Sequence, residues 1–275
     1  MIQQLAEAIR SRQVLLFAGS GLSRNLGLPC WGELVAEMAK QLDFDPAVFE
    51  GHGGYLELAE YYLIRKTSMG ALRSWMDRTW HTDEAKVDGS RSHNAIIDLK
   101  FPTIYTTNYD RWIEIAFQRR GQPFVKIANV GDFTKIKEGV TQVVKLHGDF
   151  DDDESLVLSE TSYFDRLSFE SPLDLKLRSD SIGKAILFVG YSLSDVNVRY
   201  LLYKLHRLWT ESTYSSARPK SYLFLTRPNP VHEAILERRG ILPIVAEIDD
   251  AGPALSDFLE KLQREAFGTT SVPSS

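Results

Sequence analysis

Four short segments hold the side chains best suited to chemistry: Gly19-Ser20-Gly21-Leu22-Ser23, Thr106-Thr107-Asn108-Tyr109-Asp110, Lys145-Leu146-His147-Gly148-Asp149 and Gly190-Tyr191-Ser192-Leu193-Ser194-Asp195. The first follows the apolar run Val14–Ala18 directly. Glycines placed straight after a buried strand let backbone N–H groups approach a phosphate with no Cβ in the way. Arg24 stands where a dinucleotide fingerprint would carry its third glycine, so this turn alone fits a plain βα connection equally well. His147 is of a type whose ordinary pKa, near 6.5, allows proton transfer at neutral pH. Asn108 offers a donor and acceptors without bringing a charge. The chain has no Gly-Lys-Ser/Thr phosphate loop and no Gly-x-Ser-x-Gly elbow, so neither P-loop chemistry nor a serine-hydrolase triad is supported.

The elements that must position these residues are legible as hydrophobic runs. Val14–Ala18, Thr103–Thr106, Gln142–Leu146, Ala185–Val189 and Tyr222–Thr226 read as buried strands, and Ile241–Ala246 as a sixth. Helical spacing marks Tyr109–Arg119, Ser194–Trp209, Val231–Arg239 and Ala254–Phe267. Continuous rather than alternating apolar strands, separated by helices, predict a parallel sheet covered on both faces. Residues 31–98 show helical patterns such as YLELAEYYLIRK and no strand, and read as an insertion. The expected fold is α/β: a Rossmann-like, doubly wound parallel sheet over residues 1–267 with a helical insertion subdomain at 31–98. Residues 268–275 are expected to form a flexible tail.

Composition narrows the function classes. The 275 residues are 43% hydrophobic and 25% charged, which excludes disordered and fibrous chains. A formal net charge of −5 gives no basic field for nucleic acid, and the five tryptophans are dispersed rather than interleaved with basic residues, so no direct nucleic-acid binding is expected. The lone Cys30 can form neither an internal disulfide nor a multi-cysteine zinc site, consistent with a reducing cytoplasm. The longest uncharged stretch, Gln13–Ser23, is too short to span a bilayer, and the N-terminus lacks the pattern of a signal peptide. The acidic run Asp149–Glu154 lacks the glycine and final glutamate of an EF-hand and reads as a solvated loop. His52, His81, His93, His206 and His232 read as structural or surface residues.

Ala18–Ser23 followed by Gly27-Leu28-Pro29-Cys30-Trp31 resembles the sirtuin pattern Gly-Ala-Gly-x-Ser then Gly-Ile-Pro-x-Phe. Thr106–Asp110 resembles the sirtuin Thr-Gln-Asn-Ile-Asp, Leu146–Gly148 the His-Gly at a strand end, and Gly190–Asp195 the late Gly-x-Ser-Leu segment. All four occur in the family's order between Val14 and Asp195, each at the C-terminal end of an expected strand, where open α/β sheets bind ligands. In detail they are most similar to the bacterial SIR2-like group of anti-phage defence proteins, whose members cleave NAD+. The deacylase branch carries two Cys-x-x-Cys pairs in a zinc module, an arginine after the Gly-Ile-Pro-x-Phe segment and a Phe-Gly-Glu peptide clasp. Here no cysteine beyond Cys30 exists and Gly32 takes the arginine's place, so no zinc module or other metal is expected.

The resemblance implies an NAD+ glycohydrolase releasing nicotinamide and ADP-ribose, with a protein deacylase or a non-catalytic NAD/ADP-ribose sensor as the alternatives. It places His147, Asn108 and Asp110 in the chemistry. His147 would take a proton from a ribose hydroxyl or the attacking water, Asn108 would hold the ribose or the water, and Asp110 would accept from the nicotinamide carboxamide. It places Gly19, Ser20, Gly21, Ser23, Trp31, Thr107, Gly190, Ser192 and Asp195 around the rest of the NAD+. By local rules, Asn108 and Asp110 also suit the start of a helix, Ser194 and Asp195 suit an N-cap, and Trp31 can pack under the turn. An NADase of the defence type has to be silent until triggered. The expectation is therefore a homo-oligomer with a separately encoded activator, a HerA-type ring ATPase first and an Argonaute-like protein second.

Overall fold

The computed structural model describes residues 1–168, 170–191, 196–248 and 250–268. In chain order the elements are α1 (Ile2–Arg10), β1 (Val14–Ala18), α2 (Trp31–Gln41), α3 (Pro46–Glu50), α4 (Tyr55–Lys66), α5 (Gly70–Trp80) and α6 (Arg91–Asp98). Then follow β2 (Thr103–Thr106), α7 (Trp112–Arg119), β3 (Phe124–Ile127), β4 (Thr141–Lys145), α8 (Glu160–Arg166) and α9 (Pro172–Gly183). The chain continues through β5 (Ala185–Val189), α10 (Val196–Thr210), β6 (Ser221–Leu225), α11 (Pro230–Arg238), β7 (Ile241–Val245) and α12 (Ala251–Phe267).

The strands form a single sheet in the order β3-β4-β2-β1-β5-β6-β7, every neighbouring pair parallel. Winding runs outward from β1 to one edge and then returns to its other side, so β1 lies at the switch between β2 and β5. That is the doubly wound architecture read from the sequence. The expected set lacked β3. Its four residues alternate half-buried and buried at the sheet edge, so no continuous apolar run marks them. α7 starts at Trp112 rather than near Tyr109, which leaves residues 107–111 irregular.

Strand residues of odd and even number feed two cores, as the period of a strand requires. Leu16, Ala18, Ile104 and Leu187 face α1, α6, α7 and α12, whereas Leu15, Phe17, Tyr105 and Phe188 face α9, α10 and α11. Burial on both faces is why all five residues of β1 and of β5 are apolar. On the α12 side Leu259 and Leu262 are wholly buried, each contributing about 1.5–3 kcal/mol, and Phe258 stacks on Phe224 with ring centroids 4.6 Å apart. Within residues 31–98, α2–α5 build a third core around Met38, Phe49, Tyr62, Leu72 and Met76, while α6 packs on the sheet. The third core also takes in Tyr109, Phe150, Leu156 and Leu158 from the loops beyond β2 and β4. These helices therefore lie over the C-terminal ends of the strands. Among the described residues, no helix is long and apolar enough to cross a membrane. Most of the expected tail, residues 269–275, lies outside the described residues.

The turns after β1 and β5 interlock. Gly19 N–H donates to Val189 O at 2.9 Å and Gly21 N–H to Gly190 O at 2.8 Å. Gly190 holds φ +60°, and a Cβ there would lie 2.4 Å from the Leu22 nitrogen, a backbone atom that cannot step aside. Gly190→Ala is therefore expected to lower unfolding free energy by roughly 2–5 kcal/mol, the sum of left-handed strain and overpacking. Chemical denaturation checks this, and a loss below about 1 kcal/mol would show that the two turns are not locked together.

Candidate active site

The end of the sheet collects the motif residues through its register. Thr106 pairs with Lys145, so Asn108 and His147 each lie two residues beyond a matched pair on adjacent strands. Ala18 pairs with both Thr106 and Val189, which sets Gly19 and Gly190 on the same edge. Thr106 Oγ1 donates to Ala18 O at 2.8 Å and accepts the Asn108 N–H at 3.0 Å, tying the β2 end to β1. Ser20 and Gly21 reach the surface, while Gly19 and Ser23 are buried.

Ser23 connects the glycine turn to the Asn108 loop. Its hydroxyl donates to Asp110 Oδ1 at 3.0 Å, and the same oxygen accepts the Trp112 N–H at 3.1 Å, so Asp110 does help to start α7. Asp110 Oδ2 and Asn108 Nδ2 are buried with no hydrogen-bond partner. An acceptor and a donor two residues apart are thus left unused, in a place where unpaired polar atoms are expensive. Thr107 is half-buried and lines a recess beside His147 with Arg166, Asp174, Asn197 and the apolar Leu146, Leu177, Val198 and Leu201.

His147 is enclosed. Its ring lies edge-on to Tyr163 of α8 at 5.1 Å between centroids, with Tyr163 Oη 3.5 Å from Nδ1, and 6.4 Å from the Tyr109 ring. Burial, helped by the Arg166 guanidinium, pushes its pKa down to about 3. The imidazole is neutral and unprotonated on one nitrogen, the state a proton acceptor needs. The next residue must be glycine: Gly148 has φ +86°, and a Cβ would fall 2.1 Å from Ser155 O.

Within the acidic run after His147, Asp149 is buried and ion-paired, which corrects the expectation of a solvated loop at that residue, while Asp151 stays largely exposed. Asp149 is fully buried, its carboxylate contacts Lys126 Nζ, and its Oδ1 accepts the Phe150 N–H at 2.6 Å. Burial opposes its ionisation, but Lys145, Lys126 and the Phe150 amide outweigh that and hold the carboxyl below its usual range. Asp151 pairs with Arg111 at 2.9 Å and Asp153 with Arg73 at 2.6 Å. Among the described residues, no three His, Cys, Asp or Glu side chains group as a metal site.

The structure gathers Gly19, Ser20, Gly21, Ser23, Thr107, Asn108, Asp110, His147 and Gly190 at one sheet edge. Trp31 instead stacks on Tyr55 in the helical layer, planes 4° apart and centroids 6.0 Å apart. Ser192 and Asp195 lie outside the described residues. Two groups of residues escaped the sequence reading. Tyr163 and Arg166 carry no local signal, because only the fold brings α8 to His147. Lys145 did have a signal, a charge within the apolar run QVVKL: it is wholly buried, with Nζ against the Asp110 carbonyl and 3.2 Å from Glu114 Oε1.

The depressed pKa of His147 has a measurable consequence. The unfolded chain takes up this proton near pH 6.5, whereas the folded chain does not until about pH 3. The unfolded state therefore binds more protons across that window, and stability falls as pH drops through it. Ring-nitrogen NMR is expected to show a neutral His147 from pH 8 down to about 4.5, and His147→Gln is expected to flatten the fall of Tm between about pH 6.5 and 4.5. Titration of His147 near pH 6.5 in the folded protein would contradict this.

A family model described as "SIR2-like domain" matches residues 102–244, a little over half of the chain. Among curated relatives, the protein named NAD(+) hydrolase ThsA of Enterococcus faecium is 30% identical over 207 residues, which is 74% of this chain and 42% of that protein. The ThsA of Cytobacillus dafuensis is 29% identical over 210 residues, 76% of this chain and 41% of its own. Defense-associated sirtuin 2 of Bacillus subtilis is 27% identical over 274 residues, 94% of this chain and 26% of its own. The chain thus spans less than half the length of these relatives. With the glycine turn, the Asn108 loop and His147 gathered at the end of a parallel sheet, and the family model covering β2 to β7, the chain belongs to the SIR2-like family.

Proposed function

We propose that the protein cleaves NAD+ at the nicotinamide ribose, releasing nicotinamide and ADP-ribose, and that it does so in anti-phage defence. One observation carries the reading. Asn108 Nδ2 and Asp110 Oδ2 are buried without partners, on a loop that register holds beside His147 and the glycine turn. A carboxamide and a ribose hydroxyl supply what these atoms lack: Asp110 accepts from the nicotinamide N–H₂, and Asn108 donates to a ribose oxygen or the attacking water. The hydrolase names of the ThsA relatives support the same reading.

The bond broken is a C–N glycosidic bond whose leaving group is already cationic, so it needs no general acid. The transition state has oxocarbenium character, and the residues must orient the ribose, exclude water and stabilise charge. Gly19, Ser20 and Gly21 line the diphosphate, Ser23 holds Asp110 in place, and Thr107 and Gly190 complete the surroundings of the nucleotide. His147 accepts the proton of a ribose hydroxyl or of the water. No metal takes part in these steps.

Incubating the protein with NAD+ and following nicotinamide tests the proposal. Release without any peptide is expected. Release that needs an acetylated peptide would mark a deacylase, and binding without release a sensor. His147→Ala and Asn108→Ala are each expected to lower release at least about a hundredfold while the chain stays folded. EDTA is expected to leave release unchanged. A folded variant with near-parental turnover, or activity lost to EDTA and restored by a divalent ion, would sink the assignment.

Control is proposed to come from assembly. His147, Asn108 and Asp110 are each at most 7% exposed, so NAD+ reaches them only when the covering elements move. A homo-oligomer and a separately encoded activator, of the HerA ATPase type or otherwise Argonaute-like, would set that equilibrium. Light scattering after size exclusion, then turnover with and without the partner, is expected to show an oligomer that is activated. A constitutively active monomer would refute it.

A further inference from the structure

The loop at residues 107–111 is buried and irregular, so its backbone groups need partners outside any ladder. Its neighbours supply them as side chains. Thr106 Oγ1 accepts from Asn108 N–H at 3.0 Å, His81 Nε2 from Arg111 N–H at 2.9 Å, and Asp110 Oδ1 from Trp112 N–H at 3.1 Å. Two of the carbonyls are met by one cation. Lys145 Nζ donates to Asp110 O and lies 3.4 Å from Tyr109 O, with Glu114 Oε1 at 3.2 Å on its other side.

Lys145 is the last residue of β4 and has no exposed surface. Stripping water from an ammonium and a carboxylate is costly, and an apolar pair of similar volume would serve the sheet and α7 at least as well. What a methionine cannot do is hold two carbonyls of another segment at once, since only the ammonium carries three donors. The two carbonyls belong to the residues immediately after Asn108, and one of them is Asp110 itself. These two carbonyls lie in the peptide planes on either side of the Asp110 Cα, so the lysine fixes the direction of that side chain and anchors the loop directly after Asn108.

We propose that Lys145 is a positioning residue: its ammonium clamps the Tyr109 and Asp110 carbonyls and so sets the direction of the Asp110 side chain and anchors the loop that carries Asn108, without touching substrate. The consequence for turnover rests on the NAD+-cleaving reading; the clamp itself does not.

The test compares the parent with Lys145→Met and with Lys145→Met/Glu114→Met, in which the carboxylate is no longer stranded. Hydrogen exchange reads the clamp directly. Amides of the 106–112 segment are expected to exchange at least about tenfold faster in both variants, with the strands unchanged. NAD+ kinetics read its use. The kcat is expected to fall at least about tenfold with KM within about threefold, the mark of lost orientation rather than lost binding. The double variant is expected to recover thermal stability but not kcat, a split that a purely structural lysine would not give. Recovery of kcat together with stability, or unchanged exchange in a folded variant, would overturn the proposal. Failure of both variants to fold would also overturn it, by assigning Lys145 to folding alone. If the parent releases no nicotinamide, the function fails and the exchange data still decide the clamp.

Discussion

A loop that leaves the end of a central parallel strand and stays buried cannot hydrogen-bond like a strand or a helix, yet every one of its backbone groups must find a partner. That constraint shapes this site. The β2–α7 connection turns down under the helical layer, where Tyr109 Oη donates to Val157 O at 2.6 Å. Ordinary loops solve the problem with water. Here the answer is a set of side chains from Thr106 and Asp110 of the same segment, from His81 and from Lys145. A loop held this way has few alternative conformations.

The same burial sets the electrostatics. His147 and His93 are pushed down to about 3 and about 4 because no water reaches them, and Glu114 is pushed up for the same reason, against the pull of Lys145. His93 keeps a hydrogen bond with Ser90 Oγ at 2.7 Å and belongs to the sheet-covering layer. His147 is different because it stands at the strand end, two residues beyond the Thr106–Lys145 pair. Its burial against Tyr163 is what keeps the imidazole neutral.

The helical layer links the Asn108 loop to His147. Its core includes Trp80, which meets Phe150 edge-on at 5.7 Å between centroids, so the loop after His147 is anchored in the layer rather than in the sheet. Arg111 bridges both sides, with its guanidinium over Phe150 and 3.2 Å from Asp77 of α5. Glu60 of α4 accepts the Thr161 N–H at 2.9 Å at the start of α8, the helix that brings Tyr163 over His147. A shift of the layer would therefore reach the Asn108 loop and the His147 cover together.

By itself the sequence determined the central strands, because burial on both faces demands unbroken apolar runs such as VLLFA and AILFV. It also determined the order of the glycine turn, the asparagine loop and the His-Gly, since each depends on a residue type no other can replace. It could not reveal β3, whose edge position needs only alternating burial, nor the true start of α7, which is fixed by side chains from Ser23 and His81 far away in the chain. Tertiary structure alone decided that Lys145 is buried instead of snorkelling, and that Asp149 is paired with Lys126 instead of solvated. It alone placed Tyr163 against His147 and turned Trp31 onto Tyr55. The reason is common to all of these. Local patterns report how one segment meets water, whereas a charge or a ring is placed by whichever distant segment folds against it.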